Sequence, residues 1–413
     1  MRDLLVHNKM FRVLLGYQFF SGIGGAMFSM FMLLSVHLIY ENPIYTGIAG
    51  FLMAAPFIFS FAVGPIVDRR NKVAIMRFTT FWEFLVLALL AFSPLQETFG
   101  VLFMFAVIFT YNIAALFEAP AGTAFLPQIV DEDKILQANS IINTVAMVGG
   151  LIIGVVLFTT LGNDLDLRLI YGISAALLGF ALLASMFLRN VAATEAETPN
   201  YLEDLKQGAR FIRSNILLYT ITAGVAMSFV AEVAHVNRPM FVEYHVGAQG
   251  YIVFVVVGLV GGIAASTLAG ALGNKFKVGQ LIFALLACAC VVRISFALVL
   301  PRSYVGGLVT MVLYVAIGTA VAIVLHTLIQ KIPSKDMVGR VTTISTTCSA
   351  IFVTIGALLG GFLGSAVTDV AHVFIYQGIS LAVIGLFVIL VPSVRKLPKL
   401  DQIGKDDEAE VQA

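Results

Sequence analysis

Apolar runs of about twenty residues or more recur along the whole chain, separated by short polar segments. A helix needs about 20 apolar residues to cross a bilayer, and backbone exposed to lipid must satisfy its hydrogen bonds within a helix. The runs lack the apolar–polar alternation of a membrane β-barrel. We therefore predict an all-α polytopic membrane protein with twelve transmembrane helices. The predicted spans are 13–40, 44–66, 73–93, 99–126, 139–161, 168–188, 214–242, 250–273, 278–300, 303–331, 340–366 and 371–392.

The composition excludes several classes of protein. Of the 413 residues, 59% are hydrophobic and 12% are charged, whereas a soluble domain carries about 25% charged residues. This excludes a cytosolic enzyme, a nucleic-acid-binding protein and a disordered scaffold. The net charge of +1 gives no strong attraction to polyanions. The composition and the small net charge therefore predict no nucleic-acid partner. The three cysteines match neither a disulfide framework nor a metal site, so we also expect no metal.

The basic residues predict the orientation in the membrane. Nearly all of the 25 Lys and Arg residues fall on one side of the predicted spans. Only Arg168, Arg238 and Arg302 fall on the other side, and Arg293 lies inside a span. The excess of Lys and Arg on the cytoplasmic side of membrane proteins then places both termini and the long middle loop in the cytoplasm. We expect a monomeric, multi-pass protein of the cytoplasmic membrane.

One long polar segment divides the chain into two halves of six spans. We predict an N-terminal bundle at 1–190, a cytoplasmic linker at 191–213 with an amphipathic helix over 201–213, a C-terminal bundle at 214–394 and a cytoplasmic tail at 395–413. The halves resemble each other, because the segment after the second span, 64–72, is echoed after the eighth span by 270–277. Two repeated six-helix bundles are typical of transporters that work by alternating access.

The loop after the second span carries a family motif. Its pattern Gly64-x-x-x-Asp68-Arg69-x-Asn71-Lys72 resembles the signature G-x-x-x-D-R-x-G-R-[RK] of the major facilitator superfamily. Asn71 stands where the family has Gly, and we expect it to adopt the left-handed conformation that Asn tolerates. Asp68 is predicted just past the end of a helix, where its carboxylate can face the N-terminus of another helix.

The resemblance implies a cytoplasmic gate. In the family, the partner of the aspartate is the start of the eleventh span, here near Arg340. The gate residues are then Gly64, Asp68, Arg69, Asn71, Lys72 and Arg340. The alternative is that the basic residues of the loop only anchor the topology.

A second segment indicates a branch of the family. The run Phe117-Glu-Ala-Pro120 through Ser140, together with Gly339-Arg340-Val341, resembles the macrolide-efflux and siderophore-export branch of drug:proton antiporters. Lysophospholipid transporters share similar patterns. The resemblance implies a central cavity lined by spans 1, 4, 7 and 10.

Charged side chains inside spans are costly and are functional candidates by default. Glu118, Glu232 and His235 are candidates for proton coupling, because a buried carboxyl can take up a proton and release it to water. The alternatives are that Glu118 is a surface group at the end of its span and that Glu232 and His235 form a structural cluster with Arg238. Glu83 and Arg293 fall on helices that are peripheral in the family, and we predict that they pack against neighbouring helices.

Neutral polar side chains on spans 1, 4 and 10 are candidates for the cavity lining, with ordinary helix packing as the alternative. These candidates are Gln18, Ser21, Tyr111, Asn112 and Tyr314. Glycines four residues apart, such as Gly356 and Gly360, predict close contacts between helices.

The predicted function is proton-coupled efflux of a hydrophobic or amphipathic small molecule by a secondary transporter. No P-loop and no H-E-x-x-H or G-x-S-x-G motif occurs, so we expect neither ATP as the energy source, nor a cofactor, nor an enzyme. The alternatives are a lysophospholipid or siderophore transporter, a nutrient importer of the same superfamily, and a membrane sensor that does not transport.

Overall fold

The computed structural model describes residues 6–93, 95–131, 134–135, 137–139, 141–142, 145, 149–150, 166–189, 201–400 and 402–403. Its regular elements are helices. They are α1 (Lys9–Tyr40), α2 (Pro43–Ala54), α3 (Ser60–Arg69), α4 (Lys72–Phe92), α5 (Leu95–Phe99), α6 (Val101–Phe125), α7 (Leu167–Met186), α8 (Tyr201–Arg213), α9 (Leu217–His235), α10 (Arg238–Lys275), α11 (Val278–Val299), α12 (Tyr304–Lys331), α13 (Lys335–Ala366), α14 (Ala371–Leu390) and α15 (Pro392–Arg395).

The predicted all-helical membrane fold is confirmed. Within the described residues, eleven helical segments are long and apolar enough to cross a membrane. They correspond to eleven of the twelve predicted spans. The fifth predicted span, 139–161, lies largely outside the described residues.

Two spans differ from the prediction because proline and glycine interrupt them. The second span is bent, since a 3₁₀ turn at Ala55–Phe59, which contains Pro56, separates α2 from α3. The predicted seventh span, 214–242, is too long: α9 ends at His235 and α10 begins at Arg238. Gly247, at φ +72°, then kinks α10. Hydropathy misses the bend in the second span because the residues around Pro56 are apolar.

Two predictions about the segment that joins α3 and α4 are wrong. Asp68 does not lie past the end of its helix, because α3 continues through Arg69. Asn71 is not left-handed, since its φ is −67° and its side chain accepts a hydrogen bond from the Ala74 backbone N–H at 3.0 Å. Asn is among the preferred N-cap residues, and capping α4 is the role it takes here.

The chain forms two compact units, residues 1–198 and 199–413. In the N-terminal unit, α7 packs against α1 and α4, and α6 packs against α4. In the C-terminal unit, α14 packs against α11 and α9, α10 packs against α12, and α9 packs against α13. The third span (α4) therefore packs against the sixth (α7), and in the other unit the ninth span (α11) packs against the twelfth (α14). These are corresponding positions in the two halves, as expected of a repeat.

Two glycines of α13 allow it to pack closely against α9, at positions where the sequence predicted close helix contacts. A Cβ atom added at Gly360 would lie 2.6 Å from the Val233 carbonyl oxygen, and one added at Gly356 would lie 2.7 Å from that of Phe229. Both glycines are on α13 and both carbonyls are on α9. The missing side chains let the two backbones approach.

The linker helix and the start of the tail belong to the C-terminal unit. Arg340 Nη1, on α13, donates a hydrogen bond to Gln207 Oε1 of α8 at 2.5 Å. The Leu400 backbone N–H donates to the Gly273 carbonyl at 3.0 Å, and Lys331 Nζ donates to the Leu400 carbonyl at 2.7 Å. The predicted tail boundary at 395 is therefore too early, because described residues as far as Ile403 pack on the bundle.

Candidate functional site

Five of the six predicted gate residues, all except Arg340, lie along α3 and at the start of α4. Arg69 is exposed, whereas Lys72 is buried. A Cβ atom added at Gly64 would meet no neighbour among the described residues, so no close contact within that part of the chain requires glycine there. The side chain of Asp68 lies outside the described residues. Arg340 contacts α8 through Gln207, as described above, and the gate between the two units stays a prediction.

A cluster of polar groups inside the N-terminal unit surrounds Glu118 of α6. The Tyr17 hydroxyl donates a hydrogen bond to Glu118 Oε1 at 2.5 Å. The same hydroxyl lies 2.8 Å from Thr80 Oγ1. The Ser21 side chain also lies close to the Glu118 carboxyl. The cluster therefore joins α1, α4 and α6, and we refer to Tyr17, Thr80, Glu83 and Glu118 as the carboxyl cluster.

Glu83 is the member of the carboxyl cluster whose role the sequence prediction missed. It is 1% exposed, on α4, and its carboxyl lies beside that of Glu118. Its Oε1 atom is buried and has no hydrogen-bond partner among the described residues. Two ionised carboxylates side by side in a medium of low dielectric repel each other strongly. We therefore expect the pair to hold at least one proton.

Of the other predicted lining residues of the N-terminal unit, Tyr111 and Asn112 are buried in helix packing and Gln18 is half-buried. The Tyr111 ring stacks on that of Phe28, with 3.9 Å between the centroids. Asn112 Nδ2 donates to the Ile108 carbonyl of its own helix at 2.8 Å. Gln18 is half-buried, and its Oε1 atom has no hydrogen-bond partner among the described residues.

Glu232 and His235 lie together in the last turn of α9. His235 Nδ1 is 3.2 Å from Glu232 Oε1, and both side chains are partly exposed. Asn237, two residues further on, donates hydrogen bonds to the carbonyls of Val233 and Gly360. The pair therefore sits where α9 contacts α13, and both side chains stay partly exposed.

Tyr314, on α12, lines a cavity of about 410 Å³ inside the C-terminal unit. The cavity walls are mostly apolar, with Met227 and Leu325 among them, and they include the polar side chains of His326 and Ser349. Amphipathic organic molecules suit a cavity of this composition.

Arg293 lies behind Tyr314 and is 2% exposed. Its guanidinium carbon is 4.3 Å from the ring centroid of Tyr314, 4.6 Å from that of Phe374 and 4.9 Å from that of Phe296. Arg293 Nε donates to Gln377 Oε1, and Gln377 Nε2 donates to the Tyr314 hydroxyl at 2.8 Å. Arg293 does pack against neighbouring helices as predicted, but nothing in the sequence indicated that its contacts lead to the wall of a cavity.

Two repeated helical bundles, each with charged groups buried among apolar helices, define a polytopic membrane transporter. The sequence profile of the Major Facilitator Superfamily matches residues 14–357. The chain therefore belongs to the Major Facilitator Superfamily.

Several known proteins are similar to the chain. An uncharacterised MFS-type transporter, YvqJ of Bacillus subtilis, is 24% identical over 100% of both chains. The enterobactin exporter EntS of Escherichia coli O1:K1 is 23% identical and covers 94% of this chain and 93% of its own. Among solved structures, the nucleoside transporter NupG has a TM-score of 0.71 at 13% identity and covers 93% of this chain and 99% of its own. A D-xylose–proton symporter has a TM-score of 0.68 at 14% identity, covering 94% and 97%.

Proposed function

We propose that the chain is a proton-coupled exporter of hydrophobic or amphipathic small molecules in the cytoplasmic membrane, with both termini in the cytoplasm. The observation that carries the proposal is the carboxyl cluster, in which the buried Glu83 lies beside the partly buried Glu118 and no basic side chain is seen to neutralise either carboxyl among the described residues. The similarity to the EntS exporter supports the outward direction.

Proton uptake would change the hydrogen bonds of the cluster. An ionised Glu118 accepts from the Tyr17 hydroxyl, which leaves Thr80 to donate to Tyr17. A protonated Glu118 can itself donate, and the Tyr17 hydrogen is then free to turn to Thr80. Because the three residues lie on α1, α6 and α4, the proton alters the contacts among three helices of one unit. A coupling site needs such a link between protonation and helix packing.

The similarity to EntS makes a siderophore such as enterobactin one substrate to test against drug-like compounds. The fold also suits a lysophospholipid transporter, a nutrient importer or a sensor without transport. An importer would move the substrate in the opposite direction, and a sensor would move none of the compounds.

Inside-out membrane vesicles test the proposal directly. Vesicles with an acidic interior are supplied with a panel comprising fluorescent drug-like compounds, enterobactin and a lysophospholipid. We expect at least one compound to accumulate inside, and we expect a protonophore to abolish this accumulation. Glu118→Gln should remove the dependence on the pH gradient, whereas Glu41→Gln, an exposed acid at the end of α1, should not. Accumulation that is indifferent to the protonophore would refute proton coupling.

A further inference from the structure

Arg293 is a buried cation without an acidic partner among the described residues. The groups that interact with its charge are the Tyr314 side chain and a second guanidinium, that of Arg238. Its Nη1 atom and the Nε atom of Arg238 are both buried and have no described hydrogen-bond partner. Stacking on three aromatic rings offsets part of the cost of burying the guanidinium. The positive charge itself stays without a neutralising carboxylate in the described part of this unit.

The hydrogen bonds from Arg293 have only one consistent direction. A guanidinium can only donate, so the Gln377 atom that faces it must be the amide oxygen. The amide nitrogen then faces the Tyr314 hydroxyl and donates to it at 2.8 Å. Since the Tyr314 oxygen already accepts this bond, its own hydrogen remains available to another acceptor. Successive hydrogen bonds in a chain polarise one another. The positive charge of Arg293 at one end therefore makes the Tyr314 hydroxyl at the other end a stronger donor.

The residue that carries this donor lines the cavity in the C-terminal unit. Tyr314 is half-buried and lines the cavity, whereas Arg293 and Gln377 lie behind it. The remaining walls are largely apolar, with the imidazole of His326 and a few small hydroxyl groups such as those of Ser345 and Ser349. An occupant that complements these surfaces has an apolar body and one group that accepts a hydrogen bond while carrying negative charge.

We propose that this cavity binds amphipathic organic anions, with the anionic group at the Tyr314 hydroxyl and Arg293 as the fixed positive charge behind it. This substrate class rests on the proposed function as an exporter. Tyr314 is the contact residue, and Arg293 and Gln377 are positioning residues that act through it.

The test compares two fluorescent probes with the same apolar body, dansylglycine and its neutral amide, on the purified full-length protein. Binding is measured by the rise in dansyl fluorescence without any gradient, so its outcome is independent of proton-coupled transport. We expect the wild type to bind the anion at least about tenfold more tightly than the amide. Tyr314→Phe should reduce this preference to less than about threefold and leave amide binding unchanged, because the ring that covers Arg293 is retained.

Two further variants separate binding from structural support. Arg293→Gln should also lose the preference for the anion, whereas Arg293→Lys should retain part of it because the charge remains. Tyr376→Phe, an exposed tyrosine of α14 in the same unit, is the matched control and should behave as the wild type. Equal affinities for the two probes in the wild type, absence of anion binding at millimolar concentrations, or an unchanged preference in Tyr314→Phe would each overturn the proposal.

Discussion

The Tyr17 hydroxyl donates a hydrogen bond to Glu118 Oε1 at 2.5 Å, and this bond joins the first and fourth spans inside the N-terminal unit. It gives Glu118 a partner whose own hydrogen bond to Thr80 can reverse direction. The carboxyl is thereby held in place in both protonation states, since a neighbouring hydroxyl can either donate to it or accept from it.

Removing the Tyr17 hydroxyl should weaken coupling without abolishing transport. Tyr17→Phe keeps the ring, which is fully buried, but leaves Glu118 with one donor fewer. We expect the rate of gradient-driven uptake into inside-out vesicles to fall by a factor of about 10 to 150, corresponding to about 1.5–3 kcal/mol for a hydrogen bond to a charged group. Tyr40→Phe, at the end of the same helix, serves as the control. An unchanged rate would mean that the bond does not contribute to the cycle.

Glu83 should respond differently from Glu118. Because Glu83 Oε1 makes no hydrogen bond among the described residues, Glu83→Gln removes the repulsion between the two carboxyls while disturbing few contacts. We expect the variant to fold at wild-type yield and to shift the pH at which uptake is half-maximal by about one unit. The measurement is uptake against pH at a fixed gradient. A profile that superimposes on that of the wild type would place Glu83 outside the coupling site.

The sequence predicted the number and positions of the described spans well because their length and hydropathy depend on the bilayer alone. Its charge within a span also made Glu118 a candidate, and its role in proton coupling stays a prediction. It could not identify Glu83 as the neighbour of Glu118, since a helix that is apolar on all sides shows no periodicity to reveal which face meets which neighbour. The role of Asn71 was wrong for a related reason: the sequence shows an Asn in a turn, but only the backbone shows that it caps α4.

Arg77 of α4 should stabilise the N-terminal unit through the end of α7. Its Nε atom donates to the Ser185 carbonyl at 3.1 Å, and Nη2 donates to the Leu188 carbonyl at 2.8 Å. Carbonyls at the C-terminus of a helix lack partners within the helix, and a basic side chain also interacts favourably with the helix dipole. We expect Arg77→Gln to cost about 1–2 kcal/mol and to lower the melting temperature of the purified protein by several degrees. Arg70→Gln, at an exposed site, should leave it unchanged.

The contact between α9 and α13 should not tolerate a methyl group at Gly360. An added Cβ would lie 2.6 Å from the Val233 carbonyl oxygen, and backbone cannot yield as a flexible side chain can. We expect Gly360→Ala to destabilise the protein by about 1–3 kcal/mol. Gly22→Ala, at a helical site where a Cβ would meet no neighbour, should be neutral or slightly stabilising. Equal melting temperatures for the two variants would show that α13 can move away from α9 without cost.

The segment up to Leu400 should be needed for stability, and the acidic residues beyond it should not. Leu400 is buried, its backbone N–H bonds to the Gly273 carbonyl, and its own carbonyl accepts from Lys331 Nζ. Deleting 396–413 removes these contacts together with the bond from the Val278 backbone N–H to the Pro398 carbonyl. We expect this deletion to lower the melting temperature by at least about 5 °C, with about 2–4 kcal/mol lost from the buried leucines and hydrogen bonds. Deleting only 404–413 should leave the melting temperature within about 1 °C of the wild type. If both truncations lowered the melting temperature by a similar amount, the packed segment would not be what stabilises the protein.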